Sequence, residues 1–272
     1  MNAPSAQPTI TVGGFSIDIL VQGYPGKTVC HGGLGWSTVA LVRGQGRVIL
    51  IDAGNFGMRR LISERLSAHG LSPSDVTDVI LTHAHYDHAG GLALLKRLTG
   101  ATLMASEADA ALLAAGGKGD PNFGDKLAYE PVKADRILRD GDKVELGGVT
   151  MTAHLTPGHT KGNTTWTMTV TEGTKSYNVV VAGSTSTPGY KLVDNPNYPG
   201  IVADYQRTFQ ILKSLPCDIF LAPHGNFYEL ATKSKLLEQG AKQNPFIDPS
   251  GYKRYVEETE KAFQKELERQ RK

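Results

Sequence analysis

The sequence predicts an α/β fold, a four-layer αββα sandwich in which two β-sheets lie face to face between outer helices. Short apolar strands alternate along the chain with segments of helical periodicity. This series occurs twice, so the chain divides into two halves. In both halves strands end in histidines, which places these side chains at one edge of the sandwich. With 272 residues, of which 40% are hydrophobic, the chain can bury one large core, and we predict a single domain over residues 1–272.

The first half is predicted to begin with four strands. Alternating or apolar runs place them at residues 9–12, 16–21, 37–42 and 47–51. The glycine-rich segment at residues 23–35 predicts a long loop that carries Cys30 and His31. His31 has no partner at a ligand spacing, so we predict a loop residue rather than a metal ligand.

Two β-α units complete the first half. Leucines and isoleucines at helical spacing predict two helices, which Gly70 and Gly100 end. The strand between these helices ends at residue 82. A further strand at residues 102–105 leads into an alanine-rich helix, with Ser106 as its N-cap and Asp109 in its first turn.

The densest group of polar residues follows the strand that ends at residue 82. Three histidines and one aspartate fall within six residues: His83, His85, Asp87 and His88. Burying four such groups without partners is costly, whereas a divalent cation satisfies the nitrogen lone pairs and the carboxylate charge together. The spacing therefore predicts a metal site, with Asp87 and His88 at a helix N-terminus where Asp87 can act as a cap. Asp52 ends the neighbouring strand, where it either orients a ligand histidine or forms a turn before glycine.

The second half begins after a long surface loop at residues 116–134, which at this length is predicted to be functional or mobile. The predicted elements are strands at residues 143–146, 149–154, 164–171, 176–182 and 219–222, and a helix at residues 202–215. Pro157 and Gly158 form a turn that presents His159 as a candidate third ligand. His224 is another histidine at a strand end. The charged helix at residues 251–272 is predicted to present a solvated face.

Charge and hydropathy exclude several kinds of partner. The net charge is +2 and the basic residues are scattered, so no nucleic-acid partner is predicted. No run of 18 apolar residues occurs, so no membrane partner is predicted, and a small-molecule substrate remains. The sequence as written predicts a cytoplasmic protein, or a periplasmic one if a leader was removed. Cys30 and Cys217 lie far apart in sequence, which favours a reduced compartment, and the oligomeric state is left open.

Six residues together resemble the metallo-β-lactamase superfamily: His83, His85, Asp87, His88, His159 and His224. Four later stretches are similar to the third subclass of class B β-lactamases, at residues 183–190, 197–205, 222–224 and 244–247. Ser184 stands where most hydrolases of the superfamily have an aspartate that bridges two metals, and the third subclass likewise has serine in that region. The front of the chain, residues 9 to about 54, looks more like general intracellular hydrolases of the superfamily. Trp36 in that part either lines the substrate groove or packs at a strand start.

The resemblance implies two zinc ions per chain, one on His83, His85 and His159 and the other on Asp87, His88 and His224. It implies a hydrolase that opens the amide ring of β-lactam antibiotics by attack of zinc-bound hydroxide, with Asp87 orienting the hydroxide. Ser184 and Ser186 would hydrogen-bond the substrate carboxylate, or they serve only as turn formers. The alternative is a di-zinc hydrolase of another cyclic ester or thioester, such as an acyl-homoserine lactonase. The sequence has no Ser-x-x-Lys or Gly-x-Ser-x-Gly nucleophile motif, which agrees with metal chemistry.

Overall fold

The computed structural model describes residues 9–12, 15–21, 37–44 and 47–272. Cys30, His31 and Trp36, which the sequence analysis singled out, lie outside the described residues. Within the described ranges, twelve strands form two sheets that share an apolar core, and helices cover the outer faces. The predicted αββα sandwich is confirmed. The single-domain boundary over residues 1–272 stays a prediction.

The first sheet contains seven strands that follow one another in sequence order. They are β1 (Thr9–Val12), β2 (Phe15–Val21), β3 (Val39–Gly44), β4 (Arg47–Ile51), β5 (Asp78–Ile80), β6 (Thr102–Ser106) and β7 (Arg136–Leu138). The first four pair antiparallel, and β4 to β7 pair in parallel. Parallel pairing brings the carboxyl ends of β4, β5 and β6 to the same edge of the sheet.

The second sheet contains five strands in the order β12-β11-β10-β9-β8. They are β8 (Lys143–Leu146), β9 (Val149–Leu155), β10 (Thr164–Glu172), β11 (Lys175–Val181) and β12 (Ile219–Leu221). All neighbours pair antiparallel except β11 and β12, which are parallel. The loops after β9 and β12 carry His159 and His224, the two candidate ligands that lie far from the first motif in sequence.

Seven α-helices lie in the described part of the chain. They are α1 (Arg59–Ala68), α2 (Tyr86–Ala89), α3 (Leu92–Thr99), α4 (Glu107–Ala114), α5 (Ile201–Ser214), α6 (Leu230–Glu238) and α7 (Pro249–Arg271). In β4, Ile49 and Ile51 face the core shared with the second sheet, whereas Leu50 faces the core under α1, α3 and α4. Among the described residues, no helix has the length and hydrophobicity needed to span a bilayer.

Several local predictions need correction. Strand β7 and helix α6 were not predicted, because neither has a sequence period long enough to stand out. Ser106 occupies the N-cap position of α4, but its hydroxyl donates to the carbonyl of Gly162 instead of capping the helix. Asp87 does not cap α2, whose N-cap residue is His85. The charged helix α7 also has a buried inner face, with Phe263 and Leu267 in the core.

Asp248 joins α6 to the start of α7. Its Oδ1 accepts the N-capping hydrogen bond from the Gly251 backbone (2.9 Å), and its Oδ2 accepts from Lys233 Nζ (2.9 Å). Lys233 is 5% exposed, so without this partner its buried charge would be unpaired. We expect Asp248→Ala to lower the free energy of unfolding by about 2–4 kcal/mol, from the lost cap and the unpaired ammonium. Chemical denaturation measures this value, and Asp248→Asn, which keeps an oxygen for the cap, should lose less.

The same residue gives this prediction a pH dependence. Burial opposes ionisation, but hydrogen bonds from Ser250, Lys233 and the Gly251 backbone lower the pKa of the Asp248 carboxyl to about 2. Because the folded pKa lies below the unfolded value of about 3.9, the stabilisation is present above that value and is lost as the pH falls toward 2. The stability difference between wild type and Asp248→Ala should therefore shrink below about pH 4. A difference that stayed constant from neutral pH to pH 2 would contradict this account.

Candidate metal centre

Five imidazole rings meet where the carboxyl ends of the strands of both sheets approach each other. His83, His85 and His88 come from the segment between β5 and α3, His159 follows β9, and His224 follows β12. The ring centroids of His83 and His159 are 4.6 Å apart, and those of His88 and His224 are 5.1 Å apart. The fold thus brings together all the histidines that the sequence analysis named as candidate ligands.

Hydrogen bonds to both sheets fix the start of this segment. Thr82 donates from its backbone nitrogen and its hydroxyl to the Asp52 carboxylate, both at 2.7 Å. From the second sheet, Trp166 Nε1 donates to the carbonyl of Leu81 (2.9 Å), and the Thr164 nitrogen donates to that of Thr82 (2.8 Å). The segment that carries the histidines is therefore anchored by groups of both sheets.

Asp52 also contacts His88 directly. Its Oδ2 lies 2.8 Å from His88 Nδ1, so it accepts the hydrogen of that nitrogen and turns Nε2 toward the site. Of the two roles considered for Asp52, the geometry supports orientation of a candidate ligand. Its backbone also turns, with φ of +63°.

The first group of candidate donors consists of His83, His85 and His159, whose nearest ring nitrogens all lie within 4.8 Å of one another. His159 Nδ1 donates to the carbonyl of Ser186 (2.8 Å), which leaves a lone pair on Nε2. His83 Nδ1 lies 3.1 Å from the Thr82 hydroxyl, which already donates its hydrogen to Asp52 and so accepts from the ring. His159 Nε2 is 3.1 Å from His85 Nδ1. Two nitrogens bound to one tetrahedral zinc lie at a similar separation, about 3.3 Å.

The second group consists of His83, Asp87 and His88, again with candidate atoms within 4.8 Å. His88 Nε2 lies 3.3 Å from Asp87 Oδ2, and His224 Nε2 lies 3.8 Å from the same oxygen. Asp87 is thus placed between His88 and His224, as the predicted second ligand set requires. His88 Nε2 is buried, and among the described residues its contact with Asp87 is not a well-formed hydrogen bond.

Burial and charged neighbours set the protonation states of these side chains. Burial and the neighbouring imidazoles hold the pKa of His83 and of His159 well below the usual range, so both rings are neutral at pH 7. Burial opposes ionisation of Asp87, but the neighbouring histidines hold its pKa well below the usual range. Burial likewise opposes charge on His88, but Asp87 and Asp52 raise its pKa to about 10. In the metal-free chain a proton therefore occupies His88, and a cation would take its place.

Asp109 links the two loops that carry the first group. It is 2% exposed, and its carboxylate accepts from the Ala84 nitrogen (2.9 Å), the Thr160 hydroxyl (3.1 Å) and the Gly162 nitrogen (3.1 Å). Burial raises the pKa of its carboxyl to about 6. The sequence predicts Asp109 only as a residue in the first turn of a helix. An acidic residue on the inward side of an alanine-rich helix is the signal that could have identified it.

A cavity of about 590 Å³ opens over the histidines. The long loop at residues 116–134 contributes Phe123, Lys126 and Leu127 to its lining, and the loop after β11 contributes Ser186 and Pro188. This location supports a functional role for the long loop. The same loop holds Asp120, a 5% exposed carboxylate that the sequence analysis did not single out. Burial opposes ionisation of Asp120, but the contact with His85 and two backbone hydrogen bonds lower its pKa.

The two predicted substrate-binding serines lie at different depths. Ser186 lines the cavity, and its hydroxyl is 3.1 Å from that of Ser184. Ser184 is 1% exposed, and its backbone nitrogen donates to Asn163 Oδ1. Tyr190 stacks beside His159, and its hydroxyl donates to the His159 carbonyl at 3.1 Å. In this arrangement Ser186 can reach a substrate, whereas Ser184 contacts the hydroxyl of Ser186.

Residues 32–224 of the chain match the protein-family model described as the Metallo-beta-lactamase superfamily. Solved structures match almost the whole length. The FEZ-1 metallo-β-lactamase of Legionella gormanii is 35% identical, covers 100% of this chain and 99% of its own, and has a TM-score of 0.87. A mutant of the metallo-β-lactamase of Cronobacter sakazakii is 38% identical over 97% of this chain and 98% of its own, with a TM-score of 0.86. The subclass B3 metallo-β-lactamase BJP-1 of Bradyrhizobium japonicum is 36% identical over 86% of this chain and 89% of its own, with a TM-score of 0.81.

Curated relatives match shorter parts of the chain. An acyl-coenzyme A thioesterase of Gallus gallus is 30% identical over 148 residues, which are 47% of this chain and 51% of that protein. A hydroxyacylglutathione hydrolase of Pseudomonas aeruginosa is 34% identical over 89 residues, 32% of this chain and 26% of that protein. The chain thus spans about half of the first relative and about a quarter of the second.

Proposed function

The chain belongs to the metallo-β-lactamase superfamily, and from this premise we propose that it is a di-zinc hydrolase that opens the amide ring of β-lactams. The observation that carries the proposal is the similarity to metallo-β-lactamase structures, which extends over 97–100% of the chain at 35–38% identity. Another solved relative, LRA-12 from an Alaskan soil metagenome, is described as a class B3 di-zinc metallo-β-lactamase and is 31% identical.

The proposed zinc ligands divide into two sets of three. His83, His85 and His159 would hold one ion, and Asp87, His88 and His224 would hold the other. The neutral rings of His83 and His159, and the direction of His88 Nε2, which points away from Asp52, support this division. Three protein ligands leave one position of a tetrahedral site open, which is the arrangement of catalytic zinc sites.

When bound, zinc supplies a Lewis acid that polarises a carbonyl oxygen and lowers the pKa of water from about 15.7 to about 7. The protein's own contribution is to position the reactants. Asp87 is ionised at neutral pH because the neighbouring histidines stabilise its charge, so its carboxylate can accept a hydrogen bond from the attacking water and orient it. Asp52 holds His88 in the orientation that keeps Asp87 and His88 together.

The cavity can bind an anionic substrate beside this centre. Lys126 is an exposed cation at the lining, and Ser186 presents a hydroxyl from the loop after β11. Both groups can donate to the carboxylate that β-lactam antibiotics carry, with Ser184 supporting Ser186 through the contact between their hydroxyls. Phe123 and Leu127 supply apolar surface for the substrate's side group. We propose Ser184 and Ser186 as the serines of the substrate site.

Thioester hydrolysis is the competing function, because the curated relatives include an acyl-coenzyme A thioesterase and a hydroxyacylglutathione hydrolase. Ser184 argues against thioester hydrolysis, because it occupies the region where such hydrolases have a bridging aspartate. The lactonase alternative meets the same objection.

Substrate specificity separates these functions. We expect kcat/KM for a chromogenic cephalosporin to exceed the values for an N-acyl homoserine lactone and for an S-acylglutathione by at least about tenfold, or about 1.4 kcal/mol of transition-state binding. Parallel steady-state assays on one zinc-loaded preparation measure the three values, with the chelated protein as the control for spontaneous hydrolysis. If the lactone or the thioester were the better substrate by tenfold, that activity would replace the proposed one.

A further inference from the structure

Asp120 forms a tight turn within the long loop at residues 116–134. Its backbone exchanges hydrogen bonds with Gly124, and its Oδ1 accepts from the backbone nitrogens of Asn122 and Phe123, both at 2.8 Å. These contacts use one carboxylate oxygen and fix the direction of the other. The side chain is therefore held by its own turn.

The second oxygen points at a candidate zinc ligand. Asp120 Oδ2 lies 3.3 Å from His85 Nε2, and both atoms are buried. Within the described part of the chain, neither atom has a well-formed hydrogen bond to any other group. A buried imidazole nitrogen and a buried carboxylate oxygen at this distance are most stable when the nitrogen carries a hydrogen directed at the oxygen.

This contact decides which nitrogen of His85 faces the centre with a lone pair. With hydrogen on Nδ1, the ring would donate to His159 Nε2, 3.1 Å away, and its Nε2 lone pair would face the Asp120 carboxylate. With hydrogen on Nε2, Asp120 accepts it, and the Nδ1 lone pair faces the centre beside the lone pair of His159. The carboxylate favours the second arrangement.

We propose that Asp120 is a positioning residue that holds His85 in the Nε2–H tautomer and so makes Nδ1 its metal-binding nitrogen. The proposal rests on the proposed function, since it concerns the first of the two zinc sets. Asp52 makes the corresponding contact in the second set, where it accepts from Nδ1 of His88 and leaves Nε2 for the metal.

The position of Asp120 also couples the centre to the substrate cavity. Phe123 belongs to the same turn, lines the cavity, and packs edge-on against His85 with ring centroids 5.2 Å apart. Its ring likewise contacts Tyr190, with centroids 5.6 Å apart. The loop that shapes the cavity is therefore the loop that orients His85.

Asp120→Asn tests the proposal with little change in volume. The turn requires an oxygen to accept from the nitrogens of Asn122 and Phe123, so the new amide group would face His85 with its NH₂. An NH₂ donates and cannot accept, so it would favour hydrogen on Nδ1 of His85, the nitrogen that should bind zinc. Asp125→Asn is the matched control, because the exposed Asp125 accepts from the Gly119 nitrogen in the same loop.

Two measurements test the role of Asp120 without relying on catalytic turnover. Zinc competition with a chromogenic chelator should show that Asp120→Asn weakens one of the two sites by about 10–100-fold, while Asp125→Asn leaves both unchanged. Nitrogen-15 NMR of the metal-free proteins, with His85 assigned through its loss in His85→Asn, should show Nε2–H in wild type and Nδ1–H in Asp120→Asn.

The two measurements also separate this proposal from the proposed function. A wild-type protein that bound no zinc would defeat the proposed function, and the tautomers of the metal-free proteins would still decide the role of Asp120. Equal zinc affinity and equal tautomers in wild type and Asp120→Asn would overturn the proposal. Hydrogen on Nδ1 of His85 in the wild type would overturn it even if the variant failed to fold.

Discussion

His159→Ala should lower kcat/KM for a cephalosporin by at least about 100-fold, or about 2.7 kcal/mol in transition-state stabilisation. His159 Nε2 faces His85 Nδ1 at 3.1 Å, so its removal leaves the first proposed zinc set with two protein ligands. The bound zinc should fall from two ions per chain toward one, because Asp87, His88 and His224 remain. Steady-state kinetics and elemental analysis on the same sample measure both effects.

His154→Ala is a matched control for this variant. His154 lies in β9, five positions before His159, and its Nε2 contacts the Thr167 hydroxyl at 2.8 Å outside the cluster. It should keep two zinc ions and nearly the wild-type rate. If His159→Ala behaved like His154→Ala, the first proposed zinc site would have to be abandoned.

His224→Ala should empty mainly the second site. His224 Nε2 lies 3.8 Å from Asp87 Oδ2, and without it Asp87 and His88 do not complete a three-ligand set. We expect loss of one zinc ion and a fall in turnover of at least about 10–100-fold, since even loss of a residue that supports a ligand commonly costs that much. The thermal unfolding midpoint of the zinc-free protein should stay close to that of wild type, because the fold does not depend on this side chain.

His69→Ala is the control for the second variant. His69 is the C-cap residue of α1 and lies 3.7 Å from Asp18, away from the cluster. Mass spectrometry under non-denaturing conditions counts the bound zinc in each protein. Two zinc ions and an unchanged rate in His224→Ala would remove His224 from the site and weaken the lactamase assignment with it.

The parts of the centre that the sequence predicts are those with a local signal. His83, His85, Asp87 and His88 stand within six residues, so their chemistry is visible before any fold is known. His159 and His224 could be added to the candidate ligands because each follows a strand. Loops that follow strand ends at the same edge of the sandwich lie close together. Asp52 was named for the same reason.

Asp109 and Asp120 could not be assigned in this way. An acid in the first turn of a helix already has an explanation in the helix dipole, so the only further signal for Asp109 was its place on the inward side of an alanine-rich helix. Asp120 lies in a loop without periodicity, and its contact with His85 joins positions 35 residues apart in sequence. The grouping of donors also depends on tertiary distances, since His83 lies close to both candidate sets.

We propose that the chain is a di-zinc enzyme that hydrolyses β-lactams. The most direct test is to remove the metal with a chelator, titrate the metal-free protein with zinc, and follow bound zinc and cephalosporin hydrolysis together. We expect the metal-free protein to be inactive and the activity to return as zinc binds, with uptake complete at two ions per chain. Hydrolysis at the full rate by protein that contains no metal, or no binding of zinc at all, would contradict the account.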